Sequence, residues 1–212
     1  MRVPPDSLPI LLAVGWVVRA PFVGRDEGHE AITRAACEGL ALDDWQHEAL
    51  IRGVRAPDVS LAGLLVSALP FAQPRHALRA WSGTSSTDAV GRVRGFLTAT
   101  HLRAIGLPEG QRRWRALGEV LHCLQDSFSP AHVDRVDGEI VRMKHWGPLD
   151  RLRRGADGDE HGFPSDPRDS AWRDDALTDG ALAAAEASRA YLEIAVRSRP
   201  ELDEFLDEYL GG

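Results

Sequence analysis

The sequence predicts an all-helical, single-domain protein, and three observations lead to this fold class. Apolar residues recur at steps of three and four, the spacing of one helix face, most clearly between Trp114 and Phe128. Residues that start or stop helices flank most of these runs. Only the segment GEIVRM, residues 138–143, has the character of a short strand. We therefore expect five to eight helices in a multi-helix bundle with long connecting loops.

Each predicted helix has its own start signal, stop signal or composition. Asp26 is a suitable N-cap for the first helix, and an acidic pair opens the second, DDWQHEALIRGVR. The third, from STDA onward, ends at Gly106 before Pro108. The fourth places five apolar residues on one stripe: Trp114, Leu117, Leu121, Leu124 and Phe128. The last two are the alanine-rich DGALAAAEASRAYLEIAVRS and the acidic PELDEFLDEYLGG.

The composition is that of an ordinary globular protein. The 212 residues are 43% apolar and 27% charged, with a formal net charge of -7. This acidic balance argues against a general nucleic-acid-binding surface, which would be basic. Cys37 and Cys123 are too few for a disulfide framework, and two buried thiols are expected rather than the one bridge they could form.

Residues 1–25 form an apolar N-terminal segment ahead of the domain, which covers residues 26–212. The run from Leu8 to Val18 is too short to span a bilayer, but it has the length of a signal-peptide core. Small residues precede Trp16, where a signal peptidase would cut. Cleavage predicts a secreted or periplasmic protein, whereas an uncleaved segment would be an N-terminal arm of a cytoplasmic one.

A concentration of metal-ligand residues lies in HCLQDSFSPAH, residues 122–132. His122 and Asp126 are four residues apart and therefore share a helix face, and Gly118 in the same row leaves room for another group to approach. Pro130 ends the helix, so the following turn can bring His132 back to the same cavity. The alternative is an ordinary His–Asp hydrogen bond on the helix surface.

Other histidines and carboxylates are spread along the chain: His29, Asp58, His76, His161 and Asp166. Each has an ordinary alternative, such as a helix cap for Asp58 or a solvated loop position for His161. Pro57 is expected to force an extended backbone before Asp58. As a set, nitrogen and carboxylate ligands suit zinc.

The order of these residues resembles the zinc-dependent phospholipase C family, whose fold is shared with zinc nucleases that cut single strands and remove 3′-phosphates. The pattern HxxxDxxxPxH of residues 122–132 is the most specific part, and the resemblance covers roughly residues 26–196. It implies an all-helical domain that holds two or three zinc ions in a cleft and hydrolyses phosphodiester bonds.

The resemblance also implies roles for individual residues. One zinc would be bound by four side chains: Asp58, His76, His122 and Asp126. Asp126 would also bridge to a second zinc that His29 helps to hold. Asp58 would be the catalytic base that orients the attacking water.

A further zinc would be held by three side chains: His132, His161 and Asp166. His145 and Asp150 are the alternative to the last two. If cleavage exposed Trp16 as the mature N-terminus, its amine and carbonyl would complete the His29 site. Without cleavage, that site would lack two ligands.

Zinc suits this reaction because it lowers the pKa of water, neutralises phosphate oxygens and stabilises the departing alkoxide. The imidazole ligands need hydrogen-bond partners on their outer nitrogens. The candidates for these outer partners are four residues that lie nearby in sequence, Thr33, Glu119, Ser127 and Ser129.

The implied substrate is a phosphodiester, with phospholipid favoured and nucleic acid or a nucleotide as the alternative. The apolar run 61–71 and Trp81 are expected in the core, although they could instead form an edge for peripheral membrane contact. Trp146 and Phe163 lie on the long polar loop, where they could stack on a base. A third interpretation is a non-catalytic, zinc-stabilised helical binding domain. The sequence indicates no obligate protein partner.

Overall fold

Helices dominate the part of the chain described by a computed structural model, which comprises residues 28–59, 71–80, 84–145, 171–173, 176–195 and 199–211. The α-helices are α1 (Gly28–Cys37), α2 (Asp44–Val59), α3 (Ser86–Ile105), α4 (Gln111–Asp126), α5 (Asp179–Ile194) and α6 (Arg199–Leu210), with a 3₁₀ helix at Gln73–His76. The strands are β1 (Val133–Val136), β2 (Glu139–Met143), β3 (Trp172–Arg173) and β4 (Ala176–Leu177). The predicted helical class is thus found, with two small two-stranded sheets added to it.

Helix α4 lies at the centre of the packing. It contacts α2 most extensively, and it also contacts α3, α5 and the 3₁₀ helix. The predicted stripe is buried along the whole helix, and only Phe128, just beyond its end, is half-buried. Burial of one such side chain stabilises the fold by about 1.5–3 kcal/mol. The apolar stripe of α4 therefore anchors the surrounding helices, and the polar residues of α4 are carried into the interior with it.

Two glycines bring the backbones of α2 and α4 into direct contact. A Cβ added to Gly118 would lie 2.4 Å from the Leu50 carbonyl oxygen and 2.8 Å from the Gly53 Cα. A Cβ added to Gly53 would lie 2.2 Å from the Arg115 carbonyl oxygen. Only glycine fits at either position. The room that Gly118 was predicted to provide is therefore filled by the backbone of α2.

Side-chain caps set two helix starts. The Ser85 Oγ accepts a hydrogen bond from the Asp88 amide at 3.0 Å, and α3 ends before Gly106, as predicted. The Thr178 Oγ1 accepts from the Ala181 amide at 3.3 Å at the start of α5. Asp26, the predicted cap of the first helix, lies outside the described residues.

The expectation of an extended backbone before Asp58 is wrong, because α2 continues through Pro57 to Val59. Proline removes one hydrogen bond within a helix, here the one that residue 57 would make to the Gly53 carbonyl. That loss falls in the last turn of α2, whose earlier turns are held by packing against α4. The helix consequently carries Asp58 on the same face as Val54, one turn further on.

The strand-like segment 138–143 contains β2, but its partner β1 was not predicted. The two strands pair antiparallel around Asp137 and Gly138, which both have positive φ values, 51° and 88°. An Asp–Gly pair is a strong signal for a two-residue hairpin turn. The amide of Lys144, just after β2, donates to the His132 carbonyl at 2.8 Å. The hairpin therefore holds His132 in place.

Three further predictions concern individual side chains and segments. Cys37 and Cys123 are both free and buried, as expected. Phe71 is 74% exposed, so its predicted place in the core is wrong. The N-terminal segment 1–25 with Trp16 lies outside the described residues, as do residues 61–70 and Trp81. Within the described ranges, every helix is too short or too polar to cross a bilayer.

Candidate metal centre

Six of the predicted ligands converge in the interior, and we refer to them as the histidine–aspartate cluster. They come from α1, α2, the 3₁₀ helix, α4 and the turn after α4: His29, Asp58, His76, His122, Asp126 and His132. Each is at most 7% exposed to solvent. Two other predicted ligands, His161 and Asp166, lie outside the described residues.

Asp126 lies at the middle of the cluster. Its Oδ2 is 3.3 Å from His76 Nδ1 and 3.2 Å from His122 Nε2. Its Oδ1 is 3.2 Å from His29 Nε2 and 3.9 Å from His132 Nε2. The residue is fully buried, yet neither oxygen has a hydrogen-bond partner among the described residues. A buried carboxylate needs a hydrogen-bond donor or a positive charge beside it.

Asp58 faces the same nitrogens. Its Oδ1 lies 3.8 Å from His76 Nδ1 and 3.7 Å from His122 Nε2, and its Oδ2 lies 3.7 Å from His29 Nε2. Each carboxylate therefore turns one oxygen toward His76 and His122 and the other toward His29. We call these two directions the His76 side and the His29 side of the cluster.

The spacing of these atoms fits cation binding. In a tetrahedral zinc site with metal–ligand distances of about 2.0–2.1 Å, neighbouring ligand atoms lie about 3.3–3.4 Å apart. On the His76 side, the nitrogens of His76 and His122 are 2.9 Å apart, and their distances to the two carboxylates run from 3.2 to 3.8 Å. Two overlapping groups have all ligand atoms within 4.8 Å of one another: His29, Asp58 and His122, and His76, His122 and Asp126.

The outer nitrogens of three rings define which nitrogen faces inward without a proton. Nδ1 of His122 lies 2.8 Å from the Val54 carbonyl oxygen, and Nδ1 of His132 lies 2.5 Å from the His76 carbonyl oxygen. Nδ1 of His29 lies 2.8 Å from Gln125 Oε1. Because these oxygens can only accept, each Nδ1 must donate, and Nε2 of a neutral ring carries a lone pair. A lone pair cannot hydrogen-bond to a carboxylate oxygen, which is itself an acceptor, but it can bind a cation.

The Val54 carbonyl reaches His122 because Gly53 and Gly118 let the backbones of α2 and α4 come into contact. Val54 follows Gly53 on α2, and His122 lies one turn after Gly118 on α4, so the backbone contact brings that carbonyl to the ring.

Two of the side chains predicted as outer partners bind other groups instead. Glu119 pairs with Arg103 at 2.6 Å, and Ser127 Oγ donates to the Leu124 carbonyl at 2.7 Å.

Ser129 and Thr33 are the other two residues predicted as outer partners. Ser129 Oγ accepts from the Ala131 amide at 3.2 Å. Thr33 reaches the network through Gln125, whose Nε2 donates to its Oγ1 at 2.9 Å. Gln125 was overlooked, although its place between His122 and Asp126 in the motif could have indicated it. The main-chain carbonyls that accept from His122 and His132 could not be predicted, because every residue type has such a carbonyl.

Burial and the neighbouring charges shift the protonation of the cluster. Burial lowers the pKa of His122 to about 3 and also lowers the pKa of His76, so both rings are neutral at physiological pH. Burial would also lower the pKa of His29, but the Asp126 carboxylate outweighs it and the pKa is raised. For Asp126, burial opposes ionisation, yet the surrounding imidazoles, His132 foremost, hold its pKa well below the usual range.

His145, the alternative ligand, lies beside Arg79. It is buried, and its Nδ1 lies 3.5 Å from Arg79 Nη2. The main chains of the two residues form a parallel bridge, and the Arg79 amide donates to the Lys144 carbonyl at 2.9 Å. His145 belongs to neither of the two groups of close ligand atoms found among the described residues. Asp150 lies outside those residues.

No protein-family model, curated protein or solved structure matches this chain. The resemblance of residues 122–132 to the zinc-dependent phospholipase C pattern therefore remains a prediction.

Proposed function

We propose that the chain is a zinc-dependent phosphodiester hydrolase of the phospholipase C type, with a helical bundle of that family's kind. One observation carries the proposal: lone pairs of buried imidazoles converge on two buried carboxylates, with one carboxylate oxygen on each side. This arrangement places two negative charges and several nitrogen donors in one desolvated space. A cation on each side would balance the charge and use the lone pairs.

The donor atoms favour zinc over other common cations. Magnesium and calcium prefer sites made of oxygen atoms, whereas imidazole with carboxylate suits zinc. A thiolate is not part of this set, because the Cys123 Sγ points to the Pro74 carbonyl oxygen, 3.1 Å away. Burial also raises the pKa of Cys123, which keeps the thiol protonated.

The two carboxylates are proposed to act differently. Bound zinc would lower the pKa of water and neutralise the oxygens of a phosphodiester. Asp126, fully buried between His29 and His122, holds the two sides of the cluster together. Asp58 is 7% exposed and lies in the last turn of α2. It is therefore the better placed of the two to accept a proton from water and to orient that water toward phosphorus.

An exposed aromatic residue supports phospholipid as the substrate. Phe71 is 74% exposed and lies two residues before the 3₁₀ helix that carries His76. An apolar side chain at this position can enter a lipid surface while the cluster acts on the headgroup phosphate. We therefore propose peripheral contact with membranes and place nucleic acid and nucleotides second.

The depth of the cluster favours a second candidate, a non-catalytic, zinc-stabilised helical domain. All six side chains are at most 7% exposed, and closed coordination is typical of structural zinc sites, whereas catalytic sites keep an open position. Both candidates require zinc, but only the hydrolase requires turnover. A measurement of metal content combined with hydrolysis separates them.

The test uses the purified full chain. We expect at least two zinc ions per chain by elemental analysis, and hydrolysis of bis(p-nitrophenyl) phosphate that a chelator abolishes and zinc restores. Short-chain phosphatidylcholine, a single-stranded oligonucleotide and a 3′-nucleotide then rank the substrates. Stoichiometric zinc without turnover of any of these would establish the structural candidate instead.

Matched variants assign the activity to the cluster. His122→Ala is expected to lose zinc and hydrolysis together. His47→Gln, which changes a half-buried histidine of α2 outside the cluster, is expected to retain both. Full activity in His122→Ala would refute the assignment.

A further inference from the structure

Gln125 lies behind the histidine–aspartate cluster and contacts the outer nitrogen of His29. Its Oε1 is 2.8 Å from His29 Nδ1, and its Nε2 is 2.9 Å from Thr33 Oγ1 and 3.3 Å from Ser188 Oγ. These four residues are at most 3% exposed, so the contacts are sheltered from solvent. Gln125 thereby joins α1, α4 and α5 at the back of the cluster.

The direction of each hydrogen bond in this network follows from a main-chain carbonyl. Thr33 Oγ1 donates its one hydrogen to the His29 carbonyl oxygen at 2.7 Å, because that oxygen can only accept. The Thr33 oxygen can then only accept, which places the amide nitrogen of Gln125 against it. The amide oxygen therefore faces His29 and accepts the proton of Nδ1.

The network thus determines which ring nitrogen of a neutral His29 carries no proton. With the proton on Nδ1, the neutral ring leaves Nε2 as a lone-pair donor, and Nε2 lies 3.2 Å from Asp126 Oδ1. The hydrogen bonds begin at the His29 carbonyl and return to the His29 ring, so they form a closed loop. Such a loop fixes the orientation of the ring as well as its tautomer.

We propose that Gln125 is a positioning residue that fixes the Nδ1–H tautomer of His29 and thereby sets the zinc affinity of the His29 side of the cluster. This inference deepens the proposed function and depends on it for the identity of the cation. The outer nitrogens of His122 and His132 donate to main-chain carbonyls, which substitution of the acceptor's own side chain does not remove. His29 depends on a side chain, so one substitution can separate the two sides.

The first experiment compares zinc binding by Gln125→Met and Gln125→Glu, with a chelating dye as competitor. Methionine preserves length but cannot accept from Nδ1, whereas glutamate retains an acceptor oxygen. We expect Gln125→Met to bind one of its zinc ions about 10–100-fold more weakly while the other keeps its wild-type affinity. Gln125→Glu should restore the weakened site. Equal affinities in a folded Gln125→Met protein would overturn the proposal.

A second measurement does not involve a metal. Nitrogen-15 NMR of the metal-free protein, at an alkaline pH where the rings are neutral, should show His29 protonated on Nδ1. The Nε2–H form in the wild type would overturn the proposal. If the wild type binds no zinc, the proposed hydrolase fails, while the tautomer still decides the role of Gln125.

Two variants of the hydroxyl partners test the same network without changing residue 125, in case the Gln125 variants do not fold. Thr33→Val removes the acceptor of the Gln125 amide at 2.9 Å and should weaken the same zinc ion. Ser188→Ala removes only the longer contact, at 3.3 Å, and should leave zinc affinity unchanged. The reverse order of effects would contradict the direction assigned to the hydrogen bonds.

Discussion

Gly118→Ala tests whether the contact between α2 and α4 shapes the cluster. The new Cβ would lie 2.4 Å from the Leu50 carbonyl oxygen, 2.8 Å from the Gly53 Cα and 3.0 Å from the Val54 amide nitrogen. All three are backbone atoms, so no side chain can rotate away. Ordinary contact begins near 3.4 Å, and the helices must therefore separate locally by about 1 Å.

That separation has two consequences of calculable size. Overpacking a buried interface costs about 1–3 kcal/mol, and we expect the upper end because the α2–α4 contact is the most extensive helix pair described. The distance from His122 Nδ1 to the Val54 carbonyl would grow from 2.8 Å to about 3.8 Å, too long for a hydrogen bond. Loss of that partner should weaken zinc binding about 10–100-fold.

Urea unfolding in a chelator measures the first effect, and competition with a chelating dye measures the second. Gly91→Ala is the matched control, because a Cβ at Gly91 on the exposed face of α3 meets no atom within 4 Å. Helix propensity alone predicts that it stabilises the protein by about 0.5–1 kcal/mol. The same substitution should thus have opposite signs at the two sites. Wild-type stability and zinc affinity in Gly118→Ala would refute the link between the helix contact and the cluster.

Three further predictions concern charge and protonation. Asp126→Asn is expected to lose zinc on both sides, because it removes the charge that the two sides share, and retention of tightly bound zinc on the His29 side or the His76 side would contradict that role. His29, whose pKa is raised, holds a proton at pH values at which His76 and His122, whose pKa values are lowered, are already neutral. Zinc should therefore leave the His29 side first as the pH falls. Metal analysis should then show the bound zinc decreasing in two steps, and a single step would be inconsistent with this order. Burial, followed by the charge of Arg113, lowers the pKa of His101 below its ordinary 6.5. The free energy of unfolding, measured by urea titration in a chelator, should therefore decrease as the pH falls through about 6.5 toward the folded-state pKa of His101. His101→Gln should make this decrease smaller. The same pH dependence in the variant would exclude His101 as a cause.

The helices and part of the cluster follow from patterns that are local in sequence. The stripe from Trp114 to Leu124 predicts α4 and its buried face, and the four-residue spacing of His122 and Asp126 predicts that they share a side. The helix was expected to end at Pro130 but ends at Asp126, and the turns that follow bring His132 back to Asp126, as the 3.9 Å distance between them shows. The capping residues correctly predicted where α3 begins, and Gly106 correctly predicted where it ends.

The features that were missed depend on contacts between distant segments. Pro57 remains helical because α2 packs on α4, which outweighs the local preference of the residue before a proline. The carbonyls of Val54 and His76 became the acceptors of imidazole protons through tertiary packing, and a backbone group has no signature in the residue type. Asp137 and Gly138, by contrast, carry a local hairpin signal, so β1 could have been predicted from the sequence.

The six members of the cluster lie on segments that span about a hundred residues of chain, from His29 to His132. During synthesis, His122, Asp126 and His132 emerge close together, after His29, Asp58 and His76 have already been made. The six side chains therefore come together only once α1, α2, the 3₁₀ helix and α4 have docked. If the proposed zinc binds there, its uptake can only follow this docking, and the bound ion would stabilise the folded chain over the unfolded one.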